Sequence, residues 1–351
     1  MWSKSPFFLR IYARQWDKLS QNPHIPPNLS SCCTFTSCSR RRILSGVKRQ
    51  VRHLPVLLQP VLNVLAPQPG MTVVDCTVGL AGHATELLKR VQPSGRLLGI
   101  DFDPHNLERA RQNLSNLGGK FELFHNNFAA LPTVLSQSGI DRVDRILADV
   151  GVASPQIDDP TRGFTYRQPG PLDMRMDPTR GQTAAQLLAR MCERDIADAL
   201  LELGDEEDAV QIARLIVERR KAKPIDTTQD LVEIVCEARD FTLKRAAGAK
   251  LHPAARTFQA LRILVNRELA NLDRLLAVLP HVLNPGGVAA IISFHSGEDR
   301  RVKASFLEGF RAGIYEEISL EPITATEAEK LENPRSRSAK LRWARTTTSP
   351  A

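Results

Sequence analysis

Three acids in this chain each end a short apolar run: Asp75 in "MTVVDC" (71–76), Asp101 in "GRLLGIDFD" (95–103) and Asp149 in "RILADVG" (145–151). The first run leads into a small-residue loop, Gly79-Leu80-Ala81-Gly82, and then a helix-like stretch. Such a strand–loop–helix lets a ligand approach the backbone closely. The loop has no G-x-G-x-x-G string and no Lys followed by Ser or Thr, so neither a dinucleotide fingerprint nor a phosphate loop is matched. An acid just before the turn repels pyrophosphate and suits an ammonium group. Asp101, 22 residues beyond Gly79, is placed to accept hydrogen bonds from ribose hydroxyls. A nucleoside with a cationic amino-acid end and no phosphate fits best, which describes S-adenosylmethionine. From this loop alone NAD stays open.

Asp149 narrows the chemistry. In "ADVGVASPQIDD" (148–159) it stands at the carboxyl end of the third run, where open α/β sheets bind ligands. The lone pair of an exocyclic amine on cytosine or adenine is delocalised into the ring, so the amine is a poor nucleophile. An acceptor holding its N–H localises that lone pair as a methyl arrives in line. The plainer alternative is an acid that caps a helix or orders a loop.

The elements that must position these residues alternate. The three runs read as buried strands, with helical patterns at 84–91 and 104–117 between them, which argues for a parallel sheet with helices on both faces. After about residue 157 a loop rich in Pro, Gly, Arg and Asp runs to about 181. Helical segments follow near 183–203, 205–222, 227–238 and 254–279, with Thr183 and Thr227 as caps. "NPGGVAAIISFHS" (284–296) and "KLRWARTT" (340–347) return to strands. The expected division is a sheet domain at 54–157 and 254–351, interrupted by a helical inserted domain at 158–253 that would position the substrate.

The net charge of +8 is local. Residues 1–53 hold ten of the 47 bases and one of the 39 acids, leaving 37 bases against 38 acids in the rest. That leader is Arg- and Ser-rich, acid-poor and interleaved with apolar residues, the composition of a mitochondrial transit peptide; a basic tail that binds nucleic acid is the alternative. Cys32, Cys33 and Cys38 fall in it, and Cys76, Cys192 and Cys236 are widely spaced, forming neither a metal-ligand nor a disulfide pattern. Without an apolar run of about 18 residues, no membrane span is expected, and the chemistry calls for no metal. In the loop, Arg162, Arg167, Arg175 and Arg180 alternate with Phe164 and Tyr166, which suits a splayed-out nucleotide, although a salt-bridged loop would look similar. His295 reads equally as a contact to the target base or a structural histidine. Arg335, Arg337, Lys340 and Arg342 form a basic cluster for phosphate contact or a solvated charge run.

"GFTYRQPGPLDMRMDPTRGQTAAQLL" (163–188), "HPAARTFQALRILVNREL" (252–269), "IISFHSGEDRRVK" (291–303) and "NPRSRSAKLR" (333–342) together resemble the MraW/RsmH family, from about His53 to Arg345. The resemblance implies a Rossmann-like class I methyltransferase sheet and S-adenosylmethionine-dependent N4-methylation of a cytidine in the decoding region of small-subunit ribosomal RNA. It implies cofactor contacts at Ala81, Gly82, His83, Asp101, Phe128, Asp149 and Gln156, with Asp149 as catalytic acceptor. With the leader, it implies a mitochondrial member acting in the matrix on 12S RNA or the maturing small subunit, alongside ribosome assembly factors. Cys76 stands where the family usually has Gly, Leu80-Ala81 where it has Arg-Gly, and Gly297 where it has Leu. The rival expectation is a non-catalytic assembly factor with the same fold.

Overall fold

A computed structural model describes residues 54–152, 154–249 and 251–348; the basic leader lies outside them. Five parallel strands form the sheet's body: β1 (Thr72–Asp75), β2 (Arg96–Asp101), β3 (Lys120–His125), β4 (Val143–Asp149) and β5 (Leu283–Ser293). β6 (Tyr315–Ile318), β7 (Ile323–Thr324) and β8 (Lys340–Thr346) complete it, in the order β3-β2-β1-β4-β5-β8-β6 with β7 pairing on β8. β8 runs antiparallel to β5, β6 and β7. The strand order and this reversed last strand make a Rossmann-like methyltransferase sheet, as the sequence led us to expect.

The strands read as apolar runs because both faces are covered. Successive residues point to opposite sides. Val73, Leu97, Leu147 and Ala290 join the core under α1 (Leu58–Leu65) and α2 (Gly82–Val91). Val74, Leu98, Ile146 and Ile291 join the opposite core. Also on the sheet's flanks lie α3 (Pro104–Ser115) and α4 (Leu131–Gln137). β3 escaped the sequence reading: it is an edge strand with three of its six residues part-buried and the rest exposed, and Lys120, Glu122 and His125 interrupt its apolar residues.

After β4 a short α5 (Ser154–Asp158) leads into the loop, and six helices follow. They are α6 (Ala184–Arg190), α7 (Glu193–Gly204), α8 (Ala209–Ala222), α9 (Thr228–Ala238), α10 (Leu243–Ala247) and α11 (Ala255–Asn266). Thr183 and Thr227 form full capping boxes with Gln186 and Asp230, each worth about 1 kcal/mol. The expected helix at 183–203 is two helices, since Met191 and Cys192 adopt extended backbone between α6 and α7. The expected helix at 254–279 also divides. Arg267 takes a left-handed conformation, φ 53°, so α11 ends and α12 (Glu268–Val282) starts in a new direction. α11 then packs on α7, while α12 sends Leu272, Leu275 and Leu279 into the sheet's core beside Phe306 of α13 (Ser296–Arg311). α14 (Glu327–Glu332) precedes β8. Among the described residues no helix is long and apolar enough to cross a membrane.

Candidate active site

The loop after β1 laces three strand ends together. Cys76 N donates to Leu147 O at 2.8 Å and Val78 N to Ile100 O at 2.9 Å, so the loop is stitched to β4 on one side and β2 on the other. Thr77 N donates to Asp75 Oδ1 at 3.1 Å, and Thr77 Oγ1 accepts from Asp149 N at 2.7 Å. Gly79 N donates to Asp101 Oδ2 at 2.8 Å, while Asp101 Oδ1 accepts from Asp103 N at 2.8 Å and Asn106 Nδ2 at 3.3 Å. Three carboxyl groups thereby share one end of the sheet.

Among the described residues no arginine or lysine pairs with them, and His83 Nδ1 lies 4.0 Å from Asp149 Oδ2. Burial pushes Asp149 up to about 8, helped by the negative charges of Asp75 and Glu298. Burial likewise pushes Asp75 up to about 7, against a hydrogen bond from Thr77 and with help from Asp101. Asp101 rises to about 6, burial outweighing its hydrogen bonds from Asp103, Gly79 and Asn106. Asp149 Oδ1 is buried and has no hydrogen-bond partner among the described residues. An orphaned acceptor of this kind costs about 1–3 kcal/mol unless a ligand meets it. The donor set fits a cationic nucleoside: a positive charge reverses the shifts of Asp75 and Asp149, and Asp101 retains lone pairs for hydroxyl donors.

The loop itself explains the small residues. Ala81 sits at φ 66°, the left-handed region, costing an alanine about 1 kcal/mol. At Gly82 an added Cβ would meet the Pro55 ring at 3.0 Å. His83 is 7% exposed rather than surface-displayed; its Nε2 lies 2.9 Å from Val56 O and its Nδ1 4.0 Å from Asp149 Oδ2. Phe128 opens a short 3-10 turn capped by Asn127 and lines a cleft with Phe102, Val150, Gly151, Leu272 and Glu298. Gln156 is buried and donates to Asp103 Oδ2 at 2.9 Å, one step behind Asp101.

The residues expected to touch RNA fall into two groups. Arg162 turns inward: it donates to Asp103 Oδ2 at 2.8 Å and to the carbonyls of Arg175 and Met176 at 3.1 and 2.8 Å. Arg175 is paired through two hydrogen bonds with Asp173, at 2.7 and 2.8 Å. Phe164 is buried, and Tyr166 stacks on His252 at 4.6 Å. Arg335 and Arg337 are exposed, Arg335 pairing with Asp158 at 2.9 Å. Arg342 of that cluster is buried on Asp299 at 2.6 Å. His295 lies 3.1 Å from Glu298 Oε1 without the alignment of a hydrogen bond. Glu268, His295 and Glu298 have ligand atoms within 4.8 Å of one another. Arg262, at 2.8 Å from both Glu268 oxygens, already brings that triad a positive charge.

Three residues outside the expected site belong to it by geometry. Thr77 sets the loop together with the expected Asp75, Asp103 anchors Gln156 and Arg162, and Glu298 accepts from Phe294 N at 2.8 Å beside the cleft. Asp103 could have been found from its place before Pro104 as a helix cap. Thr77 carries no such signal.

The model of the MraW methylase family matches residues 50–347. The chain belongs to that family. A ribosomal RNA small subunit methyltransferase H from Symbiobacterium thermophilum is 44% identical over 305 residues, covering 83% of this chain and 95% of the relative. One from Geobacter sp. (strain M21) is 42% identical over 309 residues, covering 83% and 97%. Among solved structures, SMU.1697c of Streptococcus mutans in complex with SAH overlays with a TM-score of 0.40 at 10% identity, covering 82% of this chain and 94% of that one. The sheet order described above, and not that low score, defines the fold.

Proposed function

We propose that this MraW-family protein is a methyltransferase that uses S-adenosylmethionine to methylate N4 of a cytidine in the decoding region of small-subunit ribosomal RNA. We place it in the mitochondrial matrix, acting on 12S RNA or the maturing small subunit together with assembly factors, because its excess of positive charge is confined to an acid-poor leader. The observation that carries the chemistry is Asp149: a strand-end carboxyl with one buried oxygen unengaged, beside a loop that leaves room for backbone contact. Bound S-adenosylmethionine supplies an electrophilic methyl on a sulfonium. Ala81, Gly82, Asp75 and Asp101 hold its amino-acid and ribose ends, and Phe128 gives an apolar wall for the base. Asp149 Oδ1 accepts the N4–H of the target, which concentrates the amine's lone pair and orients it. The walls of α12 and α13 exclude water, so that hydrogen bond is stronger than in solution.

Mapping N4-methylcytidine in mitochondrial small-subunit RNA from cells with and without the protein tests this; unchanged methylation defeats it. The left-handed Ala81 gives a second reading some footing, a non-catalytic assembly factor whose strained loop holds no cofactor. Calorimetry with S-adenosylmethionine separates the two, since the factor binds none.

A further inference from the structure

The two oxygens of Asp149 face different surroundings. Oδ1 is the buried, unengaged one, and Oδ2 looks toward Nδ1 of His83 at 4.0 Å. The other ring nitrogen, Nε2, lies 2.9 Å from the carbonyl of Val56. A carbonyl oxygen only accepts, so Nε2 carries the ring proton and the neutral imidazole turns the lone pair of Nδ1 toward Asp149. The strap providing that carbonyl is held from the other end of the chain. Leu57 N donates to Glu329 Oε1 at 2.7 Å and Asn333 Nδ2 to Leu54 O at 3.0 Å. Backbone, clamped at both sides, therefore fixes which nitrogen faces the acid.

The proposed reaction leaves a proton to be placed. Once N4 has accepted the methyl it is cationic, and one of its N–H bonds must break, the electron pair returning to nitrogen. We propose that His83 is the proton-holding partner of Asp149: the proton passes to Asp149, and the pair keeps it as an imidazolium at Nδ1 until the methylated base leaves. This rests on the function proposed above. The charged groups around the pair favour it. Asp75 on β1 and Glu298 on α13 act on Asp149 with like charge, and Asp101 on β2 acts in turn on Asp75, so a proton on His83 relieves repulsion among four acids. A closure of about 1 Å brings Nδ1 and Oδ2 to hydrogen-bond distance.

A mere cofactor contact and a proton-holding partner predict different results. Methyl transfer to small-subunit RNA lacking the modification, measured with tritiated S-adenosylmethionine at saturation, should fall about 10–100-fold in kcat for His83→Asn. Calorimetry should place its S-adenosylmethionine affinity within about threefold of the parent. The acid limb of the parent's rate profile should disappear in the variant, and added imidazole should restore part of the activity of His83→Ala. Melting curves confirm that each variant is folded. Independently of activity, NMR titration of the His83 ring with S-adenosylmethionine bound, whose cation returns Asp149 to its charged form, should move by about one unit to lower pH in Asp149→Asn, because a negative partner has been removed. The proposal is overturned if the loss lies in cofactor affinity alone, if kcat is unchanged, or if the His83 titration ignores Asp149→Asn. If instead the parent makes no N4-methylcytidine, the function fails while the titration still reports on the pair.

Discussion

Asp101 and Asp103 stand two residues apart and behave oppositely. Burial works to raise both. At Asp103 hydrogen bonds from Gln156 and Arg162, with the Arg162 charge, overcome it and hold the carboxyl below its usual range. At Asp101 only neutral donors are present, and the carboxyl rises to about 6. The contrast extends to two regions. The loop of residues 160–180 and the helices behind it meet buried charge with charge: Arg162 on Asp103, Arg262 on Glu268, Arg239 on Glu206. The end of the sheet gathers Asp75, Asp101 and Asp149 without an arginine or lysine pairing to them among the described residues. One region is built to stay shut; the other stores repulsion that a cation relieves.

The strongest test removes the stored acid. Asp149→Ala should cut methyl transfer at least ~10³-fold in a radiolabel assay, in line with the loss of a preorganised transition-state partner. The same site should be a burden without cofactor. A carboxyl whose folded value is raised contributes stability that is full below its unfolded value near 4 and is lost as pH climbs through about 8. Asp149→Asn should therefore melt a few degrees higher than the parent at pH 8–9 by calorimetry, and the two should converge near pH 4. A variant that is both inactive and less stable at pH 9 would erase the distinction between the regions.

Next in size is cofactor affinity. Below about pH 7 both Asp75 and Asp149 must give up protons when a cation enters, between about 7 and 8 chiefly Asp149, and at higher pH neither. S-adenosylmethionine should bind more tightly as pH rises from 6 to 8, by up to ~10-fold per unit for each proton released, with proton release that shrinks over the same range. Flat affinity would mean the acids do not face the ligand. On the closed side, Arg162→Ala should cost ~1–3 kcal/mol in denaturant melts, since Asp103 keeps Gln156 but loses its cation. The smallest effect belongs to the exposed pair Arg214–Glu218, where Arg214→Ala should leave the denaturant midpoint unchanged.

What the sequence made legible follows from these same forces. The three acid-tipped runs were readable because a strand covered on both faces needs apolar residues throughout, and its first polar residue marks its end. The strands observed at 72–75, 96–101 and 143–149 match those runs. Capping by Thr183 and Thr227 was readable because it is local. The breaks at Met191–Cys192 and Arg267 were not: apolar periodicity runs through both, and tertiary packing of α11 on α7 and α12 on the sheet decides them. The spacing of Arg162, Phe164, Tyr166 and Arg175 was visible, but not that Arg162 would be drawn inward, because Asp103 lies 59 residues away in sequence. Asp149 could be named; its neglected partners Thr77 and Glu298 could not, since strand register and helix placement bring them together. Ala81 was visible as a departure from the family's Gly, but only the backbone, at φ 66°, shows that the position is left-handed.

β8, formed from residues 340–346, fills the gap between β5 and β6, and α14 just before it grips the strap that touches His83. A growing chain that has emerged only as far as β5 owns every strand-end acid, yet its sheet has an open edge and its strap no clamp. The setting of His83 and the closing of the sheet thus both depend on residues that follow every strand-end acid in the chain.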